Sequence, residues 1–382
     1  MIKKRYKKIV IDASRNRSGG AIIYLKNFIK HLNLENTQIK EIIIFSHKDI
    51  LDQIPNRSFL VKCSHPLLEM NRFFQIIWQF FYLTYFLKKN KIDILYSTDS
   101  TTFCNYSNSI LFNQDILSFD KQAFNQIPFS LEKIRLFIIK FVQIYSLNNA
   151  KEVIFLSDYA RKTISKYLRK NISYNIIPHG VEENFKKIDL EKLNNTTWDY
   201  NSKKKIKIIY VSPLFLYKNH QSVVKAYSRL KKKYDNLDIE FIGNYKHNLK
   251  LYNSLIDENS LINESHFTGE LDRKDLVKTL IESDIFVFAS STETFGISLL
   301  EAMAVGMPIV CSDKSSLPEV LQNGGLYFDP KDDLQLSNQI ELLITNEILR
   351  KNKSQQARKL ALKFSWDQNT EQFCEILNRL TK

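Results

Sequence analysis

Short runs of β-branched and aromatic residues alternate with longer stretches of helical periodicity along most of the chain. In the first half, the runs that predict strands are residues 8–13, 41–46, 93–97, 109–112, 152–156 and 175–177. In the second half, they are residues 207–211, 238–242, 266–268, 285–289, 308–311 and 325–328. Strands that alternate with helices in this way form parallel sheets covered by helices. The pattern therefore predicts an α/β protein.

A polar stretch at residues 181–204 separates the two series of strands and is the best candidate for a linker. The chain has 382 residues, which exceeds the usual ~100–200 residues of one domain. We therefore expect one doubly wound domain at 1–180 and a second at 205–360. A ligand would bind at the carboxyl ends of the strands, where the two domains face each other.

Two stretches of the chain are apolar enough to raise the question whether they span or contact a membrane. Residues 73–87 are too few to span a bilayer, which takes ~18–20 residues, and they include Gln75 and Gln79. Residues 131–147 predict a helix with one apolar face and one charged, mainly basic face. Both stretches fit ordinary helices of an α/β domain, and both also fit helices that rest on anionic lipid. The sequence leaves these two interpretations open.

The net charge of +14 is unevenly distributed. Residues 1–180 hold 27 basic and 13 acidic side chains, whereas residues 181–382 hold 28 of each. The lysine clusters at 203–205 and 231–233 lack the aromatic residues or motif of a nucleic-acid site, so no nucleic-acid partner is expected. The four cysteines form no C-x-x-C pair, and the apolar run at 9–11 is too short for a signal peptide. We expect reduced thiols and a cytoplasmic protein.

The candidate chemistry is concentrated after the predicted strand at 285–289. Gly296 lies at a strand-to-helix turn, where backbone N–H groups at the start of the next helix favour an anion. Glu293 and Glu301 flank this turn, and their carboxylates can accept hydrogen bonds from the hydroxyl groups of a sugar or ribose. Two surface glutamates and a packing glycine would give the same pattern.

The run at 293–312, ETFGISLLEAMAVGMPIVCS, resembles the E-x7-E signature of retaining GT-B glycosyltransferases of the family-4 type (glycosyl transferases group 1), as found in bacterial cell-surface polysaccharide and lipopolysaccharide synthesis. The segments at 317–320 and 325–330 continue the likeness. Further matching segments are 18–20, 157–160, 177–181, 218–219 and 364–366, in the family's order. The resemblance therefore covers nearly the whole chain.

The resemblance implies a GT-B fold, in which two Rossmann-like doubly wound domains face each other across a cleft. Domain 1–180 would bind the acceptor, domain 205–360 would bind the nucleotide sugar, and the C-terminal helix at 361–382 would pack back toward the N-terminal domain. The implied catalytic residues are Glu293, Lys218 and Asp115. The implied donor-binding residues are Gly19, Gly20, Ser212, Lys218, Glu293, Thr294, Phe295, Gly296, Ile297 and Glu301, and the acceptor-side residues are Gln114 and Asp115.

In the family, the residue matching Glu293 lies beside the transferred sugar, the one matching Glu301 binds the ribose, and the one matching Lys218 neutralises the diphosphate. Two positions depart from the family pattern. Ser212 stands where many members have an arginine, which removes one charge near the phosphates. Gln114 stands where a histidine is common, and an amide cannot act as a general base. Gln114 and Asp115 could also simply cap a strand.

The predicted function is transfer of a hexose-type sugar, with retention, from a UDP- or GDP-sugar to a saccharide or lipid-linked saccharide. No cofactor beyond this co-substrate is expected. No metal is expected either, because the chain has no Asp-x-Asp triplet and no close histidine pair. The basic first half, with its two aromatic stretches, favours peripheral contact with an anionic membrane, at the inner face of the cytoplasmic membrane.

Three other functions share parts of this sequence pattern. A dehydrogenase would need a G-x-G-x-x-G loop after the first strand, and the chain has none there. Another GT-B enzyme, such as a sugar epimerase or phosphorylase, remains open. A binding-only relative with an impaired site also remains open, because of Ser212 and Gln114.

Overall fold

The computed structural model describes residues 6–17, 19–187, 205–257, 262–263 and 266–381. The chain divides into two compact units. Unit 1 comprises residues 1–124, 128–180 and 365–382, and unit 2 comprises residues 125–127 and 181–364. Most of the predicted linker, residues 188–204, lies outside the described residues.

Within its described residues, unit 1 contains a seven-stranded parallel sheet with the order β3-β2-β1-β4-β5-β6-β7. Its strands are β1 (Lys7–Asp12), β2 (Ile39–Phe45), β3 (Leu60–Cys63), β4 (Ile94–Ser97), β5 (Ser109–Asn113), β6 (Glu152–Phe155) and β7 (Tyr174–Ile176). Every residue of β4, β5 and β6 is buried, because helices cover both faces of a parallel sheet.

The helices from Gly20 to Ser165 follow the strands in alternation. They are α1 (Gly20–His31), α2 (Lys48–Gln53), α3 (Pro66–Glu69), α4 (Arg72–Ile77), α5 (Thr84–Lys89), α6 (Lys121–Gln126), α7 (Leu131–Asn149) and α8 (Asp158–Ser165). A π-helical segment, Trp78–Leu83, joins α4 to α5.

Unit 2 contains, within its described residues, a six-stranded parallel sheet with the order β10-β9-β8-β11-β12-β13. Its strands are β8 (Ile206–Val211), β9 (Leu237–Ile242), β10 (Phe267–Gly269), β11 (Ile285–Phe288), β12 (Ile309–Ser312) and β13 (Leu326–Phe328). Its α-helices are α9 (Glu183–Lys186), α10 (His220–Lys231), α11 (Leu249–Asp257), α12 (Arg273–Ile281), α13 (Ile297–Val305), α14 (Leu317–Leu321), α15 (Asp333–Thr345) and α16 (Glu347–Ala361). Short 3-10 helices lie at Leu216–Lys218 and Lys246–Asn248.

The last helix, α17 (Trp366–Leu380), belongs to unit 1 and packs on α1. A hydrogen bond of 2.8 Å joins His31 Nδ1 to Asp367 Oδ1, and the Thr370 hydroxyl donates to the His31 carbonyl at 3.2 Å. The ring of Phe373 meets the ring of Phe28 edge-on at 4.9 Å. The chain therefore returns to its first unit after completing the second sheet.

The predicted α/β fold with parallel sheets is confirmed, and every predicted strand overlaps an observed one. The strand β3 is an addition that the sequence pattern did not indicate. It lies at the edge of the sheet, and none of its four residues is fully buried, so its sequence lacks a long apolar run. Within the part of the chain that the structure describes, no helix is both long enough and apolar enough to cross a membrane.

Candidate active site

The candidate site of unit 2 lies where the order of its sheet reverses. The chain starts at β8, adds β9 and β10 on one side, and then adds β11, β12 and β13 on the other. The segments that follow β8 and β11 therefore diverge from neighbouring strands. In open α/β sheets, this switch point at the carboxyl ends of the strands is where ligands bind. Lys218 follows β8 and Glu293 follows β11, so both lie at this point.

Hydrogen bonds hold the two segments together. The Asn219 amide donates to the Ala289 carbonyl at 2.8 Å and to the Ser291 hydroxyl at 2.7 Å. In return, the Ser291 N–H donates to the Tyr217 carbonyl at 2.8 Å. Asn219 has a φ of +53°, a left-handed conformation that asparagine tolerates better than most residues. This cross-linking fixes the backbone beside Lys218 relative to the backbone before Glu293.

The side chains of Lys218 and Glu293 form an ion pair, in which Lys218 Nζ donates to Glu293 Oε1. The two side chains are only 11% and 15% exposed. The Tyr210 hydroxyl donates to the Lys218 carbonyl at 2.6 Å, and the Glu293 N–H donates to the Ser315 hydroxyl at 2.7 Å. A largely buried ammonium group and a largely buried carboxylate are thus fixed at the switch point. Their mutual attraction is less screened there than in water.

The helix α13 starts beside this pair. Gly296 is its N-cap residue, has a φ of +93° and, without a side chain, has no oxygen that could accept from the first N–H groups of the helix. A Cβ atom at this position would lie 3.1 Å from Leu317 Cδ2, in addition to the strain of a positive φ. Because the first N–H groups of a helix have no partners within it, those from Ile297 onward can face an anion.

The neighbours of Gly296 are buried and support the turn. Thr294 is 8% exposed and Phe295 is 3% exposed. The Phe295 ring packs edge-on against Phe364 at 5.5 Å. Ser212, at the carboxyl end of β8, is also buried, and its hydroxyl donates to the Pro213 carbonyl at 3.2 Å. These buried side chains pack around the turn into α13, and none of them carries a charge.

Glu301 lies within α13 and is held by an arginine. A single nitrogen of Arg273, Nη2, donates to Glu301 Oε1 at 2.6 Å and to Glu182 Oε1 at 2.6 Å. Burial raises the pKa of Glu301 above its ordinary value, and Arg273 offsets only part of this effect. Burial alone would lower the pKa of Arg273, but the two carboxylates outweigh it and raise that pKa. Arg273 therefore favours the charged form of a buried carboxylate.

The remaining predicted site residues lie in unit 1, at the carboxyl edge of its sheet. Gly19 is the N-cap of α1 with a φ of +60°, and Gly20 is the first residue of that helix. Gln114 and Asp115 directly follow β5. The Gln114 amide donates to the Thr98 carbonyl at 2.7 Å, and the exposed Asp115 carboxylate accepts from the Leu117 N–H at 2.8 Å.

A chain of hydrogen bonds connects Gln114 with the start of α1. The Thr98 hydroxyl donates to Asn16 Oδ1 at 2.8 Å, and the Asn16 amide donates to the Ala21 carbonyl at 3.0 Å. The side chain of Asn16 is buried. Asn16 and Thr98 therefore link Gln114 to the start of α1, where Gly19 and Gly20 lie. The sequence did not single out either residue.

The structure thus brings Lys218, Glu293 and the Gly296 turn together within unit 2. It places Glu301 on the same helix as that turn, but in contact with Arg273 and Glu182. Sequence reasoning missed Arg273, Glu182 and Ser315. Only Glu182 carried a signal, since it directly follows the matching segment at 177–181. Among the residues described, no cluster of three or more His, Cys, Asp or Glu could hold a metal ion.

Comparison with known proteins gives a family match in unit 2. Residues 195–360 match the family model described as glycosyl transferases group 1. An uncharacterized glycosyltransferase of Methanocaldococcus jannaschii is 28% identical over 249 residues, which cover 59% of this chain and 63% of that protein. O-antigen chain mannosyltransferase B of Escherichia coli is 35% identical over 106 residues, 28% of each chain.

A third curated relative acts, by its name, on a lipid-linked sugar. The N,N'-diacetylbacillosaminyl-diphospho-undecaprenol alpha-1,3-N-acetylgalactosaminyltransferase of Campylobacter jejuni is 35% identical over 119 residues, 31% of each chain. The aligned regions of these three relatives cover less than two thirds of their own length.

Solved structures resemble the whole chain. The sucrose-phosphate synthase of Thermosynechococcus elongatus has a TM-score of 0.77 at 16% identity, covering 98% of this chain and 99% of that one. The HepE protein of Anabaena, solved with UDP and glucose, has a TM-score of 0.73 at 18% identity with the same coverage. At these identities the likeness shows the fold alone, which is GT-B. Within this GT-B fold, residues 195–360 are similar to the glycosyl transferases group 1 family, whose model they match.

Proposed function

We propose that this protein transfers a hexose-type sugar from a nucleoside diphosphate donor to a hydroxyl group of a saccharide or lipid-linked saccharide, with retention of anomeric configuration. The observation that carries the proposal is the Lys218–Glu293 pair at the switch point of unit 2, next to the N-terminus of α13. A cation beside an anion-binding helix start suits a diphosphate, and a carboxylate beside both suits the hydroxyl groups of a sugar.

The diphosphate of the donor would be bound by Lys218 and by the first N–H groups of α13. The ammonium group would then exchange its contact with Glu293 for one with a phosphate oxygen. As the bond between the anomeric carbon and the phosphate oxygen breaks, negative charge accumulates on the leaving nucleoside diphosphate. Lys218 and the helix start stabilise that charge in a site where water screens it poorly.

The acceptor hydroxyl would attack the anomeric carbon on the face from which the diphosphate leaves. The new glycosidic bond forms to the acceptor oxygen, and the hydroxyl proton passes to an oxygen of the departing phosphate. This balance requires neither an enzyme nucleophile nor a metal ion. Glu293, released from Lys218, would orient the sugar through its hydroxyl groups.

Glu301 is the proposed ribose ligand. An ionised carboxylate accepts hydrogen bonds from two neighbouring hydroxyl groups, as a ribose offers, and charge makes these bonds about twice as strong as neutral ones. Burial works against ionisation of Glu301, and Arg273 favours it. We therefore assign Arg273 as the residue that positions Glu301 and helps keep it charged.

The names of relatives support the substrate classes. HepE was solved in complex with UDP-glucose. The Campylobacter jejuni relative is named for a sugar carried on diphospho-undecaprenol, and the Escherichia coli relative is named for an O-antigen chain. We therefore place the protein in surface polysaccharide synthesis, with a lipid-linked acceptor that would bring the reaction to a membrane surface.

A product analysis tests this function. The purified protein is incubated with UDP- and GDP-sugars, each with and without free saccharides and lipid-linked saccharides, and the products are identified by mass spectrometry and NMR. We expect a glycosylated acceptor whose new linkage has the anomeric configuration of the donor. An epimerised donor formed without any acceptor would identify another enzyme class, and nucleotide-sugar binding with no product from any acceptor would identify a binding-only protein.

A further inference from the structure

The helix α7 exposes a whole face of apolar side chains to solvent, while two of its four buried residues, Leu136 and Leu147, are apolar and two are polar. Leu131, Ile134, Ile138, Phe141 and Tyr145 repeat at spacings of three and four residues, which places them on one face, and they are 42–86% exposed. On the opposite face Gln143 and Ser146 are buried. The outer face of an ordinary surface helix is polar, so folding of unit 1 does not account for the apolar outer face of α7.

Buried hydrogen bonds fix α7 in this orientation. The Ser118 hydroxyl donates to Gln143 Oε1 at 2.9 Å, and Gln143 Nε2 donates to the Ser100 hydroxyl at 3.2 Å. The Ser146 hydroxyl donates to the Thr102 carbonyl at 2.7 Å. Rotating the helix to bury its aromatic residues would leave these polar groups without partners, at a cost for each.

The segment from α4 to α5 also exposes apolar side chains, although it buries others, Trp78, Leu83 and Leu87, in the core. Gln75 and Gln79 are buried, and Gln79 Nε2 donates to Asp12 Oδ2 at 2.8 Å. The outward side chains of this segment are bulky and apolar. They are Phe73, Phe80, Phe81 and Tyr85, with exposures of 54–65%.

The two outward faces adjoin. Phe80 from the first segment, and Phe141 and Tyr145 from α7, line one open cavity of about 470 Å³, together with Phe103 and Tyr106. Ring contacts extend this surface, because Phe81 lies 4.8 Å from Phe80, and Phe137, which is 54% exposed, lies 4.8 Å from Phe141. We call the surface that these exposed side chains form the aromatic face; its residues are Phe80, Phe81, Phe137, Phe141 and Tyr145. Contiguous apolar surfaces of this kind mark interaction sites in proteins that remain in solution.

Basic residues border the aromatic face. Arg72 begins the first segment, Lys88 and Lys89 end it, and all three are exposed. Lys89 Nζ lies over the exposed Tyr85 ring, 5.5 Å from its centre. The acidic Glu132 is neutralised by an ion pair with Arg135 on the same helix. The border is thus positive, in agreement with the excess of basic over acidic residues in positions 1–180.

We propose that the aromatic face of unit 1 binds the surface of an anionic lipid bilayer. Exposed Phe, Ile and Leu side chains would enter the boundary between headgroups and acyl chains, and the Tyr145 and Tyr85 hydroxyl groups would stay at the headgroups. The surrounding lysine and arginine side chains would contact anionic headgroups. This charge complementarity favours lipid over a second copy of the same positively bordered face. The proposal does not rest on the transfer reaction.

Vesicle flotation tests the proposal without nucleotide sugar or acceptor. The protein is mixed with vesicles of phosphatidylcholine alone or with increasing phosphatidylglycerol. We expect affinity to rise with phosphatidylglycerol and to fall about tenfold or more in the double variant F137S/F141S, because two large apolar side chains lose their burial. The control is L334S/I348S, which changes two exposed apolar residues of unit 2 and should bind as the wild type does.

Variants that remove positive charge, and a measurement of molecular mass by light scattering, complete the test. K88Q/K89Q should lose affinity for anionic vesicles only, whereas K359Q/K363Q, with the same change of charge in unit 2, should not. Thermal unfolding of each variant verifies that it is folded. Binding that is indifferent to phosphatidylglycerol or to F137S/F141S would overturn the proposal. So would a dimer of the wild type, seen by light scattering, that F137S/F141S converts to monomer, because the face would then serve self-association.

Discussion

At the scale of single residues, the candidate site combines charges that restrain one another. Lys218 and Glu293 are an ion pair at low exposure, and Arg273 joins two carboxylates, Glu182 and Glu301. A charged group that is removed from such a pair leaves its partner poorly compensated, so its effect exceeds that of an exposed ion pair. The two glutamates of the motif have different partners, and we therefore expect different consequences when each is changed.

The first prediction separates the two glutamates. E293Q should lower kcat strongly and change nucleotide binding little, because the proposed contact of Glu293 is with the transferred sugar. E301Q should raise the KM for the donor about tenfold to a hundredfold, since it weakens charge-assisted hydrogen bonds to the ribose. Steady-state kinetics with calorimetric nucleotide binding measure both, with the exposed Glu347→Gln as control. Wild-type kinetics in both variants would refute the site assignment.

The second prediction concerns pH. Burial raises the pKa of Glu301 and Arg273 lowers it, so R273Q should raise that pKa further. The carboxylate then takes up its proton at a higher pH. As pH falls, the donor KM of R273Q should therefore begin to rise at a higher pH than that of the wild type.

R273K, which keeps the charge, should restore part of the wild-type pH profile, and R229Q, at an exposed ion pair of unit 2, should leave it unchanged. An R273Q profile parallel to that of the wild type would show that Arg273 has only a structural role.

At the scale of elements, the turn into α13 determines where the helix start points. Gly296 combines a positive φ with a close neighbour, whereas Gly269, at the end of β10, has a φ of +81° but a Cβ atom there would make only an ordinary contact, 3.9 Å from Tyr245 Cε1. An alanine has a conformational cost of about 1–2 kcal/mol at either position. Only at Gly296 would it also displace the turn that carries the proposed phosphate site.

The third prediction follows from this pair of glycines. G296A and G269A should both lower the unfolding temperature, and only G296A should weaken binding of a nucleoside diphosphate, by about tenfold or more for a lost charge-assisted contact. Differential scanning calorimetry and isothermal titration provide the two readouts. Equal nucleotide affinity in the two variants would exclude the start of α13 as a phosphate ligand.

The sequence predicted most strands because buried parallel strands are short, continuous apolar runs, as in β11 and β12. It did not predict β3, which lies at a sheet edge with no fully buried residue. It also could not indicate which face of α7 turns inward. An apolar helix face fits the core of a domain and fits a lipid surface equally well, so the periodicity does not distinguish the two orientations. Hydrogen bonds of Gln143 and Ser146 to distant residues decide that, and a local pattern does not contain them.

The candidate site was predictable to the extent that it is contiguous. Glu293, Gly296 and Glu301 belong to one motif, so a resemblance could identify them together. Arg273 is 28 residues from Glu301 and 91 residues from Glu182, and the packing of α9, α12 and α13 against one another brings the three together. No periodicity of the sequence encodes such a contact.

At the scale of the whole molecule, chemistry and charge are assigned to different units. Unit 2 contains the Lys218–Glu293 pair and carries the family match, and its part of the chain has 26 basic and 25 acidic residues. The excess positive charge and the aromatic face belong to the part of the chain that forms unit 1. A nucleotide-sugar site in one unit and a lipid-binding face in the other would suit an enzyme whose donor is dissolved and whose acceptor is carried by lipid.

Release of nucleoside diphosphate from a panel of UDP- and GDP-sugars, in the presence of acceptor, measures both the transfer reaction and the role of Lys218 in it. Wild type, K218Q and the control K359Q are compared with the same donors. We predict that wild type and K359Q release nucleoside diphosphate equally from one donor, and that K218Q is at least about a hundredfold slower, because it loses the cation that stabilises the leaving group. Release by K218Q at the wild-type rate would exclude Lys218 as the group that stabilises the leaving diphosphate, and no release by the wild type from any donor would exclude the proposed transfer.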